Sequence, residues 1–303
     1  MPADVLVTGA AGFVGRHLLD RARARGLESA AAEGDLRDRD AALRAVAAAR
    51  PRAVVHLASA FRRARDVWSA LAEDVTMTAN VLAAARELVP EATILVAGSA
   101  AQYGLGGPAP LREDTLTKPV SAYGAVKCVI ERLCTAAPLA DTLRVVFARS
   151  FNHVGPGQPL DAPVAAWARQ VALAEVAGGG VVRTGRLDVR RDFLDVRDVA
   201  DAYLDLVAAE DAADVVNVCS GVGVELADAA RRLVALAHER VELQTDPSLL
   251  RPLDPTTVVG DPSVLHGLTG FEPRIPLDQS LADMLDEWRD TVVRDVVAGR
   301  DSR

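Results

Sequence analysis

The sequence predicts an α/β protein with a doubly wound parallel sheet and a smaller, irregular α/β lobe at its C-terminal end. Strand-like apolar runs alternate with helical segments through the first 150 residues, and a glycine-rich turn joins the first strand to the first helix. Beyond residue 150 the alternation loosens. Because strands that alternate with helices pair in parallel beneath helices on both faces, we divide the chain into residues 1–150 and 151–303, with some later strands returning to the first part.

The glycine-rich turn, TGAAGFVG at residues 8–15, directly follows the apolar run VLV. Its first glycine permits a sharp turn, its second lets the backbone approach a pyrophosphate, and its third lets the helix pack against the strand. The helix that begins here offers free N–H groups and a positive dipole end to an anion. The turn therefore predicts a Rossmann-type dinucleotide-binding domain in residues 1–150. The cofactor contacts expected in the turn are Gly9, Gly12, Phe13, Val14 and Gly15.

The remaining elements follow from the hydrophobic pattern. In the first part we predict strands at 27–31, 53–59, 93–99 and 143–150, and helices at 38–50, 66–89 and 120–136. In the second part we predict a helix at 164–177, a strand at 181–185, a helix capped by Asp198 and a strand-like segment at 215–221.

Composition argues against several classes of protein. The net charge of −8 disfavours a general nucleic-acid binder, which relies on a basic surface. The three cysteines, Cys128, Cys134 and Cys219, lack a metal-ligand spacing, so we expect no metal site and a reducing, cytoplasmic location. No apolar run approaches the ~18 residues needed to cross a bilayer, and the first strand leaves no room for a signal peptide, so we expect no membrane partner.

Tyr123 and Lys127, in the segment SAYGAVK, lie four residues apart on a predicted helix. That spacing puts both side chains on one helix face, about one turn apart. A phenol is a poor acid–base catalyst near neutral pH, and an adjacent ammonium group favours its ionised form. The same spacing also occurs in ordinary helices with a half-buried tyrosine and a solvated lysine.

Three motifs in order, TGAAGFVG, GSAAQYG and YGAVK, make the chain resemble the extended, nucleotide-sugar-modifying branch of the short-chain dehydrogenase/reductase superfamily. The resemblance implies a catalytic triad of Ser99, Tyr123 and Lys127, in which Ser99 stands four residues before Tyr103. It also implies a homodimer built on the two long helices at 66–89 and 120–136.

The same resemblance implies cofactor contacts outside the glycine turn. It places Asp35 and Leu36 against the adenine. It places a strand end beneath the cofactor and the catalytic tyrosine and lysine at the nicotinamide ribose; these residues are Leu57, Ala58, Ser59, Tyr123 and Lys127. His56, at the same strand end, we expect to be a core histidine. No arginine cluster meets a 2′-phosphate, so the residues leave NAD(H) and NADP(H) open, and the resemblance favours NADP(H).

Segments in the second half narrow the branch. RSFNHVGPGQ, RRDFLDVRDVADAY and RPLDPTTVVGDPS resemble GDP-mannose 4,6-dehydratases and, more closely, GDP-6-deoxy-4-ketohexose reductases. The resemblance implies that Asn152, Arg191 and Arg251 hold the nucleotide diphosphate, and residues 151–303 form the nucleotide-sugar-binding lobe. Guanidinium groups suit this role because they donate two parallel hydrogen bonds to phosphate oxygens.

The expected activity is an NAD(P)H-dependent reduction of the C4 ketone of a nucleotide-linked 4-keto-6-deoxyhexose. The alternatives are a 4,6-dehydratase or 4-epimerase on the same fold, and a cofactor-binding sensor without catalysis. Related dehydratases carry an acid directly after the catalytic Ser or Thr, whereas Ala100, Ala101 and Gln102 follow Ser99 here. None of the three exchanges a proton at neutral pH. GDP and dTDP both stay open as the nucleotide, as does the stereochemistry at C4.

Overall fold

A computed structural model describes residues 2–61, 63–105, 107–135, 143–211, 213–250 and 253–297. Its largest sheet has six parallel strands in the order β2-β1-β3-β4-β5-β9. These strands are β1 (Val5–Thr8), β2 (Ser29–Ala31), β3 (Ala53–His56), β4 (Thr93–Ala97), β5 (Arg144–Ser150) and β9 (Val215–Val218). The predicted fold class is confirmed.

The order of the strands reverses at β1, because β2 lies on one side of it and β3 on the other. In open α/β sheets, ligands bind outside the carboxyl ends of the strands at such a reversal. The glycine turn begins at the carboxyl end of β1. The geometry of the sheet therefore puts the turn where a ligand crevice is expected.

Helices cover both faces of the large sheet. These helices are α1 (Phe13–Ala24), α2 (Arg39–Ala49), α3 (Val67–Leu88), α4 (Ala122–Cys134) and α6 (Val196–Ala208), while α5 (Pro163–Val176) lies in the second half, away from this sheet. On one face, α2, α3 and α4 bury Val46, Leu82 and Ile130 against the sheet. On the other face, α1 and α6 do the same with Leu18 and Leu204. Helix α6 comes from the second half of the chain but covers the sheet of the first half.

The second half adds two small sheets and a third apolar cluster. Around a central strand β8 (Arg190–Asp195) lie β6 (Asn152–Val154), β10 (Gly223–Glu225) and β12 (Thr257–Val258), while β7 (Gly180–Thr184) pairs with β11 (Val241–Thr245). The remaining helices of the described part are α7 (Leu226–Ala235), α8 (Ser263–Thr269) and α9 (Leu277–Val297). Helices α5, α7 and α9 pack together through Trp167, Leu233 and Met284. The division of the chain at residue 150 stays a prediction.

The bounds of the two long helices are close to those predicted. Helix α3 starts after Asp66, whose carboxylate accepts hydrogen bonds from two backbone N–H groups of its first turn. Helix α4 starts after Ser121, whose hydroxyl accepts from the N–H of Gly124 at 3.1 Å. Ala136, the expected last residue of that helix, lies outside the described residues. Among the helices that the structure describes, none is both long and apolar enough to cross a membrane.

The expected cap of α6 is wrong by one turn, since Asp195 rather than Asp198 caps this helix. Asp195 accepts from the N–H of Arg197 at 2.8 Å and from the hydroxyl of Ser280 on α9 at 2.6 Å. Asp198 lies inside the helix and accepts from two backbone N–H groups just before α9, and Asp201 pairs with two arginines in and directly after the last turn of α1. Three carboxylates of one helix therefore bind both halves of the chain.

Candidate active site

The glycine turn has the geometry that a bound pyrophosphate requires. Gly9 has a φ of +66°, and a Cβ there would lie 2.8 Å from the backbone N of Ala58. A Cβ at Gly15 would lie 2.7 Å from the Cα of Ala10. Gly12 is the N-cap of α1 and has no side chain with which to cap it, so the N–H groups of the first turn face outward for an anion. The turn fits a dinucleotide phosphate.

The end of β3 is held beside this turn by two residues that the sequence did not single out. The hydroxyl of Thr8 accepts from the N–H groups of Leu57 and Ala58 at 3.1 and 3.2 Å. The carboxylate of Asp74, buried on α3, accepts from the hydroxyl of Ser59 at 2.7 Å. A single aspartate on the apolar side of a predicted helix is the sequence signal that points to such a role. The three predicted strand-end residues thus lie against the glycine turn.

His56 is a buried core histidine, as expected. Its Nδ1 lies 2.8 Å from the hydroxyl of Thr8 and its Nε2 lies 3.2 Å from the hydroxyl of Thr78. Burial, together with the nearby charge of Lys127, lowers the pKa of His56 to about 3. The imidazole is therefore neutral at physiological pH and both ring nitrogens are occupied.

The two residues expected at the adenine differ in exposure. Leu36 is buried in the apolar cluster beneath α2 and α3. Asp35 is on the surface, where the Arg37 guanidinium at 2.6 Å lowers the pKa of its carboxyl to about 2. Arg37 also pairs with Glu73 at 3.0 Å. The structure therefore leaves the adenine contact of both residues a prediction, with the carboxylate of Asp35 already paired.

The structure brings Tyr123 and Lys127 together at the carboxyl end of β4. Lys127 is 6% exposed, and its Nζ donates to the carbonyl oxygen of Ala97 at 3.0 Å. The same Nζ lies 5.8 Å from the centre of the Tyr123 ring. The ring of Phe61 packs edge-on against Tyr123, with their centres 5.0 Å apart. The lysine ammonium is thus held in place by the main chain beside the phenol.

Ser99 follows two residues after Ala97, as the cap of a single 3-10 turn. Its hydroxyl oxygen accepts from the N–H of Ala101 at 3.2 Å, and its backbone N–H donates to the side-chain oxygen of Gln102 at 3.0 Å. A hydroxyl can donate while it accepts, so this contact leaves the hydroxyl hydrogen able to donate to a substrate oxygen. The expected triad therefore shares one edge of the sheet, with Ser99 on the loop after β4 and the other two residues on α4.

Two of the three predicted diphosphate ligands lie on neighbouring strands of the second half. Asn152 opens β6, and its amide donates to the carbonyl oxygen of Asp192 at 3.0 Å. Arg191, on β8, pairs with the carboxylate of Asp254 and donates to the carbonyl oxygen of Pro255 at 2.9 Å. Arg251 lies outside the described residues.

Asp192 is a third residue that the sequence did not single out. Its side chain is fully buried, and it accepts from the N–H groups of Ser220, Gly221 and Gly260 at 2.8, 2.9 and 3.2 Å. Burial raises the pKa of this carboxyl. One buried carboxylate therefore gathers two loops around β8 and fixes the strand that carries Arg191. Its partners are distant in sequence, so no local pattern announces the role.

The glycine turn and the Ser, Tyr and Lys set define a nicotinamide-dependent enzyme class, and comparison with known proteins agrees. The chain belongs to the NAD dependent epimerase/dehydratase family, which matches residues 5–219. The resemblance inferred from the three motifs is confirmed.

Similar proteins cover nearly the whole chain. It is 34% identical to GDP-6-deoxy-D-mannose reductase from Pseudomonas aeruginosa, over 96% of this chain and 99% of the relative. It is 26% identical to GDP-6-deoxy-D-talose 4-dehydrogenase from Aggregatibacter actinomycetemcomitans, over 89% and 92%. A solved structure of RMD from Pseudomonas aeruginosa complexed with NADPH has a TM-score of 0.84 at 32% identity, covering 95% of this chain and 99% of that one.

Proposed function

We propose that this protein is a reductase that uses NADPH or NADH to reduce the C4 ketone of a nucleotide-linked 4-keto-6-deoxyhexose. The observation that carries the proposal is the edge of β4, where Lys127 is bonded to Ala97 beside Tyr123 and where the three residues directly after Ser99 carry no carboxylate. The name of the GDP-6-deoxy-D-mannose relative supports the substrate class.

In the proposed reaction the bound nicotinamide supplies the hydride. Negative charge then grows on the carbonyl oxygen of the sugar, and the hydroxyl of Tyr123 donates a proton to it. The hydroxyl of Ser99 donates a hydrogen bond to the same oxygen and stabilises the developing charge. The ammonium of Lys127, anchored on the carbonyl of Ala97, stabilises the phenolate that remains.

The main alternative, a 4,6-dehydratase, needs more than a hydride carrier. It has to remove the proton at C5 and expel the hydroxyl at C6, which calls for a carboxylic acid near that end of the sugar. The three residues after Ser99 provide none. We expect the protein with oxidised cofactor to form no 4-keto-6-deoxy product from GDP-mannose or dTDP-glucose. Mass spectrometry measures this directly, and loss of water at enzymatic rates would overturn the reductase proposal.

A 4-epimerase and a sensor differ from a reductase in how they use the cofactor. A reductase oxidises one NAD(P)H for each ketone it reduces, an epimerase leaves the cofactor unchanged over a full cycle, and a sensor binds without turnover. We expect absorbance at about 340 nm, where reduced nicotinamides absorb, to fall in step with ketone consumption. Epimerised sugar at constant absorbance would identify the epimerase.

The diphosphate of the substrate is proposed to bind Asn152, Arg191 and Arg251. Arg191 is held at the start of β8 by Asp254, which orients its guanidinium. GDP is the favoured nucleotide and dTDP its competitor. Calorimetric titration with GDP, dTDP, UDP and CDP in the presence of each cofactor tests this, and tighter binding of a pyrimidine nucleotide would reverse the preference.

For the cofactor we propose NADP(H) first, with NAD(H) accepted. Arg37, about half exposed two residues past Asp35 and paired with Asp35 and Glu73, is the cation that we assign to a 2′-phosphate. Glu33, exposed just beyond β2, opposes the same phosphate. We expect Arg37→Gln to raise the KM for NADPH and to leave that for NADH unchanged, and Glu33→Gln to lower the KM for NADPH. Equal effects on both cofactors would remove these residues from the adenosine end.

We also propose a homodimer through α3 and α4 and a cytoplasmic location. Val126 and Ile130 of α4 are buried in the core, but a second stripe on the two helices is exposed. It consists of Trp68, Ala72, Thr76 and Ala79 on α3 and Ala122, Ala125 and Val129 on α4. Unpartnered apolar and small residues on two adjacent helices suit a helix-to-helix contact between two copies.

Light scattering tests the dimer. We expect a mass near twice 32.0 kDa, reduced by Val129→Arg and unchanged by Val176→Arg. Val176 is the matched control because it is a similarly exposed valine on another helix, 51% against 47%. A wild-type mass near 32.0 kDa at micromolar concentration would contradict the dimer.

A further inference from the structure

A continuous chain of buried hydrogen bonds leads from Ser99 into the body of the protein. The backbone N–H of Ser99 donates to the side-chain oxygen of Gln102 at 3.0 Å, and the amide nitrogen of Gln102 donates to the Glu131 carboxylate at 2.7 Å. Arg149 donates to both oxygens of that carboxylate, at 2.7 and 2.6 Å. Gln102 has no exposed surface, and Glu131 and Arg149 are each 4% exposed.

Glu131 lies on the same face of α4 as the proposed catalytic pair. It follows Lys127 by four residues and Tyr123 by eight, so the three side chains line one side of the helix. Lys127 is bonded to the carbonyl of Ala97, at the end of β4. Helix α4 is therefore bonded to the segment that carries Ser99 at two points, at Ala97 before it and at Gln102 after it.

The amide of Gln102 suits this bridging position because it offers an acceptor and a donor at once. Its two partners fix which way it points, since one is an N–H group and the other a carboxylate. A buried amide that lost either partner would keep an unsatisfied polar group, so the bonded arrangement is strongly preferred. The backbone of Ser99 is thereby held at a set distance from α4.

We propose that Gln102 is a positioning residue, which holds the hydroxyl of Ser99 in register with Tyr123 and Lys127 by bridging the Ser99 backbone to Glu131. The proposal rests on the proposed function, in which these three groups act on one substrate oxygen. Catalysis depends on such registration because misplacement of a reacting group by about 1 Å can cost on the order of 10²-fold in rate. The ion pair of Glu131 with Arg149 is the fixed base of the bridge.

The first test is Gln102→Met, which keeps the length of the side chain and removes both hydrogen bonds. We expect kcat to fall roughly 10- to 100-fold, while the KM for the cofactor and the affinity for the nucleotide diphosphate stay near wild type. The matched control is Tyr103→Phe, which removes a hydroxyl bonded to Arg149 and Asn217 in the same buried network, with no bond to Ser99. We expect that control to lower the melting temperature and to leave kcat unchanged.

The second test is Gln102→Glu, which supplies a readout that a purely structural role would not move. The protonated acid accepts from Ser99 and donates to Glu131, as the amide does, whereas the ionised form faces a second carboxylate. Burial and the neighbouring charge raise the pKa of such an acid above the ordinary ~4.3. The charged groups of this network are Glu131 from α4, Arg149 from β5 and Glu113 from the loop before α4, whose backbone carbonyl accepts from Arg149. Lys127 lies one turn before Glu131 on α4.

We expect the ratio of kcat in Gln102→Glu to kcat in wild type to rise as the pH falls and to decline as the pH rises through the raised pKa. Gln102→Met should show a constant ratio. A Gln102→Met variant with normal kcat, or a Gln102→Glu ratio independent of pH, would overturn the proposal. Ser99→Ala distinguishes failure of the proposed catalytic role of Ser99 from failure of the positioning role of Gln102. If Ser99→Ala leaves kcat unchanged, the role of Ser99 itself fails. If it lowers kcat while both Gln102 variants are normal, only the positioning role fails.

Discussion

The proposed catalytic edge and the proposed diphosphate site are built in different ways. At the edge, the ammonium of Lys127 and the backbone of Ser99 are bonded to β4 and its following turn, next to the largest sheet. In the second half, Arg191 is bonded to Asp254 and Pro255, which belong to a loop before a two-residue strand. The difference teaches that the proposed catalytic groups are fixed through the backbone at the end of a central strand, while Arg191, itself on β8, is oriented by partners on a loop.

The largest effect is expected at the edge. Tyr123→Phe removes the proton donor but keeps the ring that packs against Phe61. We expect kcat to fall about 10²- to 10⁴-fold, with the affinity for the cofactor unchanged. Lys127→Ala is the matched comparison and should lower both kcat and the affinity for the cofactor, because the ammonium is assigned to the nicotinamide ribose as well. Near-normal reduction of a 4-keto sugar nucleotide by the Phe variant would remove Tyr123 from the chemistry.

A smaller effect, on substrate binding rather than on kcat, is expected in the second half. Arg191→Ala should weaken binding of the sugar nucleotide by roughly 1.5 to 3 kcal/mol, since a charged hydrogen bond is lost, and should leave cofactor affinity unchanged. Arg190→Ala is the matched control, because the neighbouring residue of a strand points to the other face of the sheet. Calorimetry with the nucleoside diphosphate measures both variants. Equal losses of affinity in Arg190→Ala and Arg191→Ala would contradict the assignment of Arg191 to the diphosphate. Arg251→Ala is expected to behave as Arg191→Ala does.

The smallest effect is expected on the free energy of unfolding and comes from His56, at the end of β3. Because its pKa is about 3 in the folded protein and near ~6.5 when unfolded, protons bind the unfolded chain first as the pH falls below that value. Wild type should therefore lose about 2 kcal/mol of unfolding free energy between pH 7 and pH 5 relative to His56→Gln. Urea unfolding at the two pH values measures it. A difference between the two proteins that does not change with pH would show that the imidazole is not held neutral.

The parts that the sequence predicts well are those with local signals. The alternation of apolar strands and capped helices predicts the large sheet, and Gly9 marks its expected ligand-binding edge because glycine adopts the φ found there without steric cost. Helical spacing alone puts positions 123 and 127 on one helix face, and their catalytic role comes from the resemblance. These features depend on neighbours within a few residues, which a sequence displays directly.

The parts that the sequence misses depend on distant partners. Strands β6 and β12 have three and two residues, too few to show a period. Asp192 gathers loops from positions 220 and 260, and Gln102 meets a carboxylate 29 residues away. Aspartate is a residue type that commonly caps helices, but Asp198 instead accepts hydrogen bonds from the backbone just before α9. Such roles exist only once the tertiary structure brings the partners together.

The carboxylates of α6 have a consequence for how the protein comes apart. Asp201 is bonded to Arg21 on α1 and to Arg25 directly after it, and Asp195 is bonded to Ser280 on α9. Strand β9 in addition completes the edge of the large sheet beside β5. A fragment ending at residue 150 would lack this strand and the helix that shields one face of its sheet. Melting should therefore be a single cooperative transition, and limited proteolysis should yield no stable cofactor-binding fragment.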